Sequence, residues 1–214
     1  MTPNELITQF PPSDAERAAF MLQDFAQISG DAPRSFLDMG AGSGSMSAVI
    51  ALRFPGIRGV LVDVIARLTY LDLLTKEQRD GLESLNDPED SRLSDRRFDL
   101  VCSMDVLEHI PDWQAALIAL KRHVAPAGYL YIQAPSNYPS PNFPTRQVLK
   151  NGLAGLFNRH DPRTHVRHGL SVKRIVDAVS EEFDLLVASE SYVVDGKTPC
   201  KFKPRTHVLA RRRA

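Results

Sequence analysis

Residues 36–63, with the sequence FLDMGAGSGSMSAVIALRFPGIRGVLVD, place three glycines at alternate positions between two apolar runs. The glycines are Gly40, Gly42 and Gly44. Asp38 stands two residues before the first glycine, and Asp63 ends the second apolar run. The apolar runs predict buried strands, and the segment that follows the glycines has the apolar spacing of a helix. The stretch therefore predicts a strand, a glycine-rich turn, a helix and a second strand.

The glycine-rich turn indicates a ligand site. Alternate glycines let the backbone turn tightly and leave no Cβ in the way of a ligand. The helix that follows directs its unpaired N–H groups and the positive end of its dipole at the same space. Asp63 is placed to accept hydrogen bonds from both hydroxyls of a ribose. We therefore expect a nucleoside-containing cofactor at the carboxyl ends of the strands, the alternative being a flexible loop with unrelated acids beside it.

The spacing within the turn separates two classes of cofactor. The dinucleotide-binding pattern G-x-G-x-x-G/A requires glycine or alanine at position 45, where this chain has Ser45. A carboxylate at Asp38 disfavours a pyrophosphate and favours a ligand with an ammonium or sulfonium group. The residues therefore favour S-adenosylmethionine over NAD as the cofactor.

The remaining pattern predicts an α/β fold. Strand-like runs alternate with helical spacings, which indicates a parallel sheet covered by helices on both faces. A capping-box sequence at Ser13 predicts the start of an N-terminal helix, and Ser171 is expected to cap a late one. Further helices are expected at 66–80 and from Trp113 onward, where Trp113 lies on the apolar face as a core residue or, alternatively, as a stacking platform. The second strand of the opening stretch is 59–63, and the other predicted strands are 98–103, 128–133, 183–194 and 207–210, the last two antiparallel.

We expect a single domain with four parts. They are an N-terminal helix in 1–32, a cofactor-binding core in 33–134, a lid or acceptor segment in 135–170, and a C-terminal helix with antiparallel strands in 171–214. The lid is predicted because prolines recur after Ala134 and an amphipathic helix follows at 146–157. Residues 146–174 contain seven Lys/Arg and one acid. They are either a solvated basic loop or a cover that meets an anionic or sugar-phosphate acceptor.

Two stretches carry a resemblance to a known family. The heptapeptide DMGAGSG at 38–44 resembles motif I of the class I S-adenosylmethionine-dependent methyltransferases. The stretch FDLVCSMDVLEHIPDWQAALIALKRHVAPAGYLYIQAPS at 98–136 is similar to the unit from the fourth to the fifth strand in the branch that includes the ubiquinone-biosynthesis O-methyltransferases. The resemblance implies a Rossmann-like, doubly wound and mostly parallel seven-stranded sheet, with an antiparallel C-terminal strand and a helical lid inserted after the fifth strand.

The resemblance also implies roles for individual residues. Asp38 and the backbone of the glycine loop would hold the methionine end of the cofactor, and Asp63 the ribose. Val64 would pack on the adenine, and Asp87, with Asn86 or Asp90 as alternatives, would bind its amino group. Met104 and Asp105 would line the methyl end. The loop residues concerned are Gly40, Ala41, Gly42 and Gly44.

Three histidines are candidates for acid–base chemistry. Methyl transfer from a sulfonium requires alignment of the reacting atoms, and a general base helps only when the acceptor is a hydroxyl or a protonated amine. His109 follows the fourth strand, where it would act as a base or buttress the turn before Pro111. His165 and His168 fall in the basic segment. No carboxylate or cysteine cluster accompanies them, so we expect no metal.

Composition limits the class of protein. The chain has 214 residues, zero formal net charge and two distant cysteines, which predicts one globular domain without a disulfide framework. Residues 1–145 contain 12 Lys/Arg and 19 Asp/Glu, whereas residues 146–214 contain 14 and 7. The sequence shows neither a signal-peptide pattern nor an apolar run of membrane-spanning length, so we expect a cytoplasmic protein.

The favoured function is methylation of a small-molecule acceptor, at oxygen or nitrogen, with an anionic, sugar or lipid-pathway metabolite as possible acceptors. Two alternatives stay open. One is a methyltransferase acting on RNA or another nucleic acid, with Lys201, Lys203, Arg205 and the arginines at 211–213 as phosphate contacts. The other is a catalytically inactive, cofactor-binding protein that shares the fold.

Overall fold

The computed structural model describes residues 1–65, 67–136, 169–194 and 202–214, which include a seven-stranded sheet and six α-helices. The strands are β1 (Ser35–Met39), β2 (Arg58–Val62), β3 (Leu82–Leu85), β4 (Phe98–Met104), β5 (Val124–Pro135), β6 (Phe183–Val194) and β7 (Phe202–Arg212). The helices are α1 (Pro3–Ile7), α2 (Pro12–Phe25), α3 (Ser45–Arg53), α4 (Lys76–Asp80), α5 (Trp113–Arg122) and α6 (Val172–Val179). Short 3-10 turns occur at Thr69–Leu73, Ser91–Leu93 and Leu107–His109.

The strand order in the sheet is β3-β2-β1-β4-β5-β7-β6. The first five strands are parallel, and β7 runs antiparallel to both β5 and β6. The chain moves outward from β1 to β3 and then returns to place β4 on the other side of β1. A crevice opens at such a reversal, at the carboxyl ends of the two central strands. The predicted fold, a mostly parallel seven-stranded sheet with an antiparallel C-terminal part, is confirmed.

Two separate apolar cores cover the faces of this sheet. On one face, Phe25 of α2 and Ile50 of α3 pack with strand residues such as Leu61. On the other face, Trp113 of α5 and Ile175 of α6 pack with the intervening strand residues. Trp113 is buried, so its predicted role in the core is confirmed. Successive side chains of a strand point to opposite faces of the sheet, so the same strands contribute apolar residues to both cores, as expected for a sheet with helices on both sides.

The N-terminal segment differs from the single helix that the sequence predicts. A short helix, α1, comes first, and the Thr2 side chain caps it. The second helix begins at Pro12 with Pro11 as its N-cap residue, so the predicted cap at Ser13 is wrong. The physical reason is that proline suits the first helical position, where its fixed φ is already helical and its missing N–H is not needed.

The predicted helix over 66–80 is also wrong, and the glycine loop explains why. The N–H groups of Arg67 and Tyr70 bond to the carbonyls of Gly42 and Ser43, at 3.0 and 3.2 Å. Backbone donors that hold the loop are not available to a continuous helix. Instead a 3-10 turn forms, and Thr75 starts the short helix α4 with a complete capping box.

Two details of the sheet bear on the predictions. The segment that follows α4 forms β3, parallel to β2 at the edge of the sheet. Strand β5 is longer than the predicted 128–133, and Ala127 within it has φ +58°. That left-handed conformation is the one that glycine adopts most easily.

Most of the predicted lid lies outside the described residues, as do His165 and His168. The same is true of the predicted amphipathic helix at 146–157. In the part of the chain that is described, no helix has the length and apolar character needed to cross a bilayer.

Candidate functional site

A cavity of about 720 Å³ lies at the carboxyl ends of β1, β2 and β4, at the reversal in strand order. Its lining combines the glycine loop, the end of β2, the turn after β4 and one side of α2. The sequence-predicted residues among the lining are Asp38, Gly40, Ala41, Gly42, Asp63, Val64, Met104, Asp105 and His109. The structure therefore brings together side chains from three strands that the sequence assigned to one site.

The glycine loop has a backbone that other residues adopt with difficulty. Gly40, Gly42 and Gly44 have φ values of +87°, +54° and +76°, so all three are left-handed. At Gly40 a Cβ would lie 2.0 Å from a methyl carbon of Val106, which belongs to the turn after β4. The loop is anchored to β2 by the N–H of Gly40, which bonds to the Val62 carbonyl at 2.7 Å. Glycine is thus required at position 40, both by the left-handed conformation and by the close approach of Val106.

Asp63 ends β2 and holds the glycine loop. One carboxylate oxygen accepts a hydrogen bond from the Gly42 N–H at 2.8 Å, and the other accepts one from the Ile65 N–H at 2.8 Å. Each carboxylate oxygen has a second lone pair that stays available to a ligand. Asp63 therefore has a structural role that the sequence did not indicate, beside the predicted role at a ribose.

Asp38 lies at the bottom of the cavity with 1% of its surface exposed. The Ser47 hydroxyl, from α3, donates a hydrogen bond to its carboxylate. Burial raises the pKa of Asp38 to about 6, and the nearby charge of Asp63 adds to the effect. A buried carboxylate without a cation beside it is unfavourable, so this position favours a positively charged ligand.

Two apolar side chains line the cavity while facing solvent. Val64 is 64% exposed and Ile65 is 60% exposed, directly after Asp63. Few large apolar residues of the described chain are as exposed. A flat ring that lay on them would bury this surface, and the contact of Val64 with an adenine stays a prediction.

Asp105 is held at the cavity wall by two arginines. Its carboxylate pairs with Arg17 of α2 and with Arg205 of β7. Burial by itself would raise the pKa of Asp105, but the charges of Arg205 and Arg17 outweigh it and lower that pKa. Asp105 also has φ +57°, a conformation that aspartate tolerates better than most residues.

Arg17 is a site residue that the sequence analysis missed. It lines the cavity, pairs with Asp14 of its own helix and reaches Asp105, 88 residues away in the chain. Among the described residues that line the cavity, Arg17 is the only arginine or lysine. The i, i+3 pair of Asp14 and Arg17 was visible in the sequence, but nothing there indicated that this face of α2 meets the carboxyl end of β4.

Two predicted residues do not line the cavity. Gly44, the last glycine of the loop, is the N-cap residue of α3. Asp87 is exposed, and its carboxylate accepts a hydrogen bond from the Glu89 N–H at 2.8 Å, while the neighbouring Pro88 does reach the lining. The alternatives Asn86 and Asp90 do not line the cavity either, and Asp90 pairs with Arg92.

His109 and Glu108 form an adjacent pair of titratable groups in the turn after β4. His109 lines the cavity, and its Nε2 lies 3.8 Å from Oε1 of Glu108. Glu108 is buried, and burial raises its pKa to about 8, with the charge of Asp105 as the second cause. Among the described residues, no three or more His, Cys, Asp or Glu side chains group closely enough to hold a metal ion.

Comparison with known proteins places the chain in a family. Residues 13–179 match the model of a family described as a methyltransferase domain. A trans-aconitate 2-methyltransferase of Methylobacterium radiotolerans is 30% identical over 144 residues, which cover 64% of this chain and 50% of that protein. A ubiquinone biosynthesis O-methyltransferase of Hydrogenovibrio crunogenus is 25% identical over 109 residues, which cover 50% of this chain and 45% of that protein. The chain thus spans about half the length of the curated relatives it matches.

Solved structures show the same fold at low identity. The N-methyltransferase NodS of Bradyrhizobium japonicum, in complex with S-adenosyl-L-homocysteine, has a TM-score of 0.62 at 14% identity and covers 94% of this chain and 88% of that one. A 1,6-didemethyltoxoflavin-N1-methyltransferase of Burkholderia thailandensis has a TM-score of 0.60 at 16% identity, covering 95% of this chain and 77% of that one. At these identities the likeness shows the fold alone.

Proposed function

The chain belongs to the methyltransferase-domain family, within the class I S-adenosylmethionine-dependent methyltransferases, and from this membership we propose that it methylates a small-molecule acceptor at oxygen or nitrogen. The observation that carries the proposal is the cavity in which the glycine loop, Asp38 and Asp63 meet at the carboxyl ends of β1 and β2. When bound, S-adenosylmethionine supplies an electrophilic methyl group whose sulfur departs as a neutral thioether.

The residues of the cavity fit this cofactor by charge and shape. Asp38 suits its ammonium or sulfonium group, and Asp63 suits the ribose hydroxyls. Val64 and Ile65 offer an apolar surface for the adenine. Arg17 is the described cation that suits the carboxylate of the methionine moiety. Because Asp105 keeps Arg205 as a second partner, Arg17 can turn to a ligand without leaving Asp105 as an unpaired buried charge.

The protein's own part in the reaction is mainly alignment and exclusion of water. The left-handed glycine loop, fixed by β2 and by Asp63, presents a rigid wall, and such orientation contributes up to about 7–11 kcal/mol to a reaction barrier. Met104 and Ile110 give the far end of the cavity apolar surface, and His109 supplies a titratable group there. His109 is the group we assign as the base for an acceptor hydroxyl or ammonium.

The acceptor's chemistry is not fixed by the relatives. Their names include O-methyltransferases, a methyltransferase of trans-aconitate and N-methyltransferases. We propose an acceptor small enough to reach Met104 and His109 alongside the cofactor in a cavity of about 720 Å³.

The nucleic-acid alternative is weakened by the contacts of its basic residues. Arg212 donates to the carbonyls of Lys121 and Val124 at 2.9 Å, and Arg213 donates to Glu181 O, also at 2.9 Å. Arg205 is buried against Asp105. Arg205 and Arg212 are thus engaged within the protein rather than presented to a phosphate backbone, whereas Arg213 is exposed, and Lys201 and the Lys203 side chain lie outside the described residues.

A direct experiment tests the proposal. The purified chain is titrated calorimetrically with S-adenosylmethionine, S-adenosylhomocysteine and NAD. It is then incubated with S-adenosylmethionine and a panel of phenols, sugars, amines, carboxylic acids and lipids, with mass spectrometry to detect methylated product. We expect binding of the first two ligands, no binding of NAD, and methyl transfer to one acceptor class. Binding of NAD alone would refute the proposal, and cofactor binding without turnover on any acceptor would favour the inactive, cofactor-binding alternative.

Replacing Arg17 by glutamine should weaken binding of S-adenosylhomocysteine about tenfold or more, because a charge-assisted hydrogen bond to a carboxylate contributes about 1.5–3 kcal/mol. The same variant should bind 5′-methylthioadenosine, which lacks the amino-acid moiety, within about twofold of the wild type. Calorimetry with both ligands measures the difference. The control is Arg92→Gln, which removes an exposed arginine paired with Asp90. Equal losses for the two ligands would assign Arg17 to packing of α2 instead.

Cofactor affinity should depend on pH through Asp38. Its pKa of about 6 in the free protein means that the carboxyl is protonated below that pH, whereas a cationic ligand binds to the ionised form. The dissociation constant for S-adenosylmethionine should therefore increase about tenfold for each pH unit below 6 and level off above about 7. In Asp38→Asn the affinity should be weaker and nearly independent of pH between 5 and 8. A wild-type affinity that stays constant over this range would contradict the assignment.

A further inference from the structure

Glu108 has an environment that folding alone does not require. It is 3% exposed, and its Oε2 atom has no hydrogen-bond partner among the described residues. A buried carboxyl with an unbonded oxygen is unfavourable, so a glutamine or an apolar residue would be the more stable choice there. Glu108 is not among the described residues that line the cavity.

The neighbouring His109 connects Glu108 to the cavity. Both residues lie in the 3-10 turn Leu107–His109, directly after β4 and its continuation Asp105. Oε1 of Glu108 is 3.8 Å from Nε2 of His109, whose ring is partly exposed to the cavity. A charge at that distance in a buried site acts strongly on the imidazole.

From this geometry we infer that Glu108 is a positioning residue for proton transfer, whose carboxylate stabilises the imidazolium that forms when His109 takes the acceptor's proton. The inference rests on the proposed function. The proton leaves the acceptor oxygen or nitrogen as that atom gains the methyl group, and it moves to a ring nitrogen of His109. The positive charge formed there lies beside the Glu108 carboxylate, so the pair is neutral overall.

The charges around Glu108 agree with this role. The charge of Asp105 raises the pKa of Glu108, while the charges of Arg205 and Arg17, both paired with Asp105, lower it. Burial and Asp105 together raise the pKa of Glu108 to about 8. With a pKa of about 8, Glu108 becomes a carboxylate as the pH rises toward that value, and we expect this change of charge to affect the His109 ring beside it.

A test that needs no turnover follows the ring of His109 by nuclear magnetic resonance in the cofactor-free protein. The signal is assigned by its loss in His109→Gln. In the wild type we expect the His109 signal to titrate in two steps, one of them near pH 8. In Glu108→Gln, which has the shape of the protonated carboxyl, only one step should stay. The matched control Glu83→Gln removes a carboxylate that pairs with Arg92 and Arg96, and it should keep both steps.

A second measurement uses whichever acceptor is turned over. In the wild type, kcat should increase toward pH 8 as Glu108 ionises, whereas in Glu108→Gln it should be about tenfold lower at pH 8 and lack this increase. The dissociation constant for S-adenosylhomocysteine should change less than twofold. Glu108→Asp, which keeps a carboxyl, should recover part of the pH dependence even if the glutamine variant folds poorly.

The two measurements separate the inference from the proposed function. A single His109 step that is identical in the wild type and in Glu108→Gln would overturn the inference, whatever the catalytic result. Coupled titration without methyl transfer to any acceptor would support the interaction between Glu108 and His109 and contradict the proposed function.

Discussion

Gly40→Ala should abolish measurable cofactor binding and lower the free energy of unfolding by about 2–5 kcal/mol. The new methyl group would lie 2.0 Å from a methyl carbon of Val106, and Gly40 has φ +87°. The left-handed conformation costs an alanine about 1–2 kcal/mol, and overpacking adds about 1–3 kcal/mol. The loop cannot move aside freely, because its N–H groups at positions 40 and 41 both bond to the Val62 carbonyl. Urea unfolding and calorimetry with S-adenosylhomocysteine measure the two effects.

Gly56 offers a matched control for the cost that the left-handed backbone imposes on an alanine. Gly56 has φ +80° but nothing within 4 Å of an added Cβ. Gly56→Ala should therefore lose only about 1–2 kcal/mol of stability and keep its cofactor affinity within twofold. Combining Gly40→Ala with Val106→Ala removes the methyl that the new Cβ meets. The double variant should be more stable than the sum of the single effects predicts, by about 1 kcal/mol or more. Strict additivity would show that the contact with Val106 is not the cause.

Asp63→Ala should weaken binding of S-adenosylhomocysteine by at least tenfold and lower stability by about 1–2 kcal/mol. The affinity loss is expected because charge-assisted hydrogen bonds to the ribose are lost, each contributing about 1.5–3 kcal/mol. The stability loss is expected because the carboxylate also accepts the N–H groups of Gly42 and Ile65. Calorimetry and thermal unfolding separate the two.

A ligand pair distinguishes ribose recognition from damage to the loop. The wild type should bind adenosine more tightly than 2′,3′-dideoxyadenosine, and Asp63→Ala should bind both equally. Asp87→Ala is the control, since Asp87 also follows a strand of the sheet but faces solvent and contacts Glu89. If Asp87→Ala weakened adenosine binding while Asp63→Ala did not, the ligand would be held at the end of β3 instead.

The glycine loop could be predicted from the sequence because its requirements are local. Few local structures are compatible with alternate glycines that are followed by a helix and by an acid at the end of the next strand. In agreement with the predicted tight turn, Gly40, Gly42 and Gly44 all adopt left-handed backbones. The prediction of a helix over 66–80 was wrong because of contacts with a segment that is distant in the sequence. Its apolar spacing is helical, but backbone donors at Arg67 and Tyr70 are used by the loop.

Contacts between distant segments were beyond the reach of sequence patterns. Arg17 and Arg205 meet at Asp105 from opposite ends of the chain, and neither lies in a recognisable motif. Polar residues on the exposed face of a predicted helix give no sign of which strand end they will meet. Glu108 is similar, because its adjacency to His109 was visible in the sequence but its burial was not.

The strand order has a consequence for the path of folding. Strand β7 follows β6 in the chain, yet it lies between β5 and β6 in the sheet. During synthesis β6 therefore emerges before β7, the strand that joins it to the rest of the sheet. Until β7 pairs with it, the backbone N–H and C=O groups of β6 have no partner strand. Arg205, the second of the two arginines that pair with Asp105, belongs to β7 as well. Such non-local pairing slows folding and leaves an edge open to wrong partners, so Asp105 at the cavity wall gains its second arginine only when this strand has been inserted.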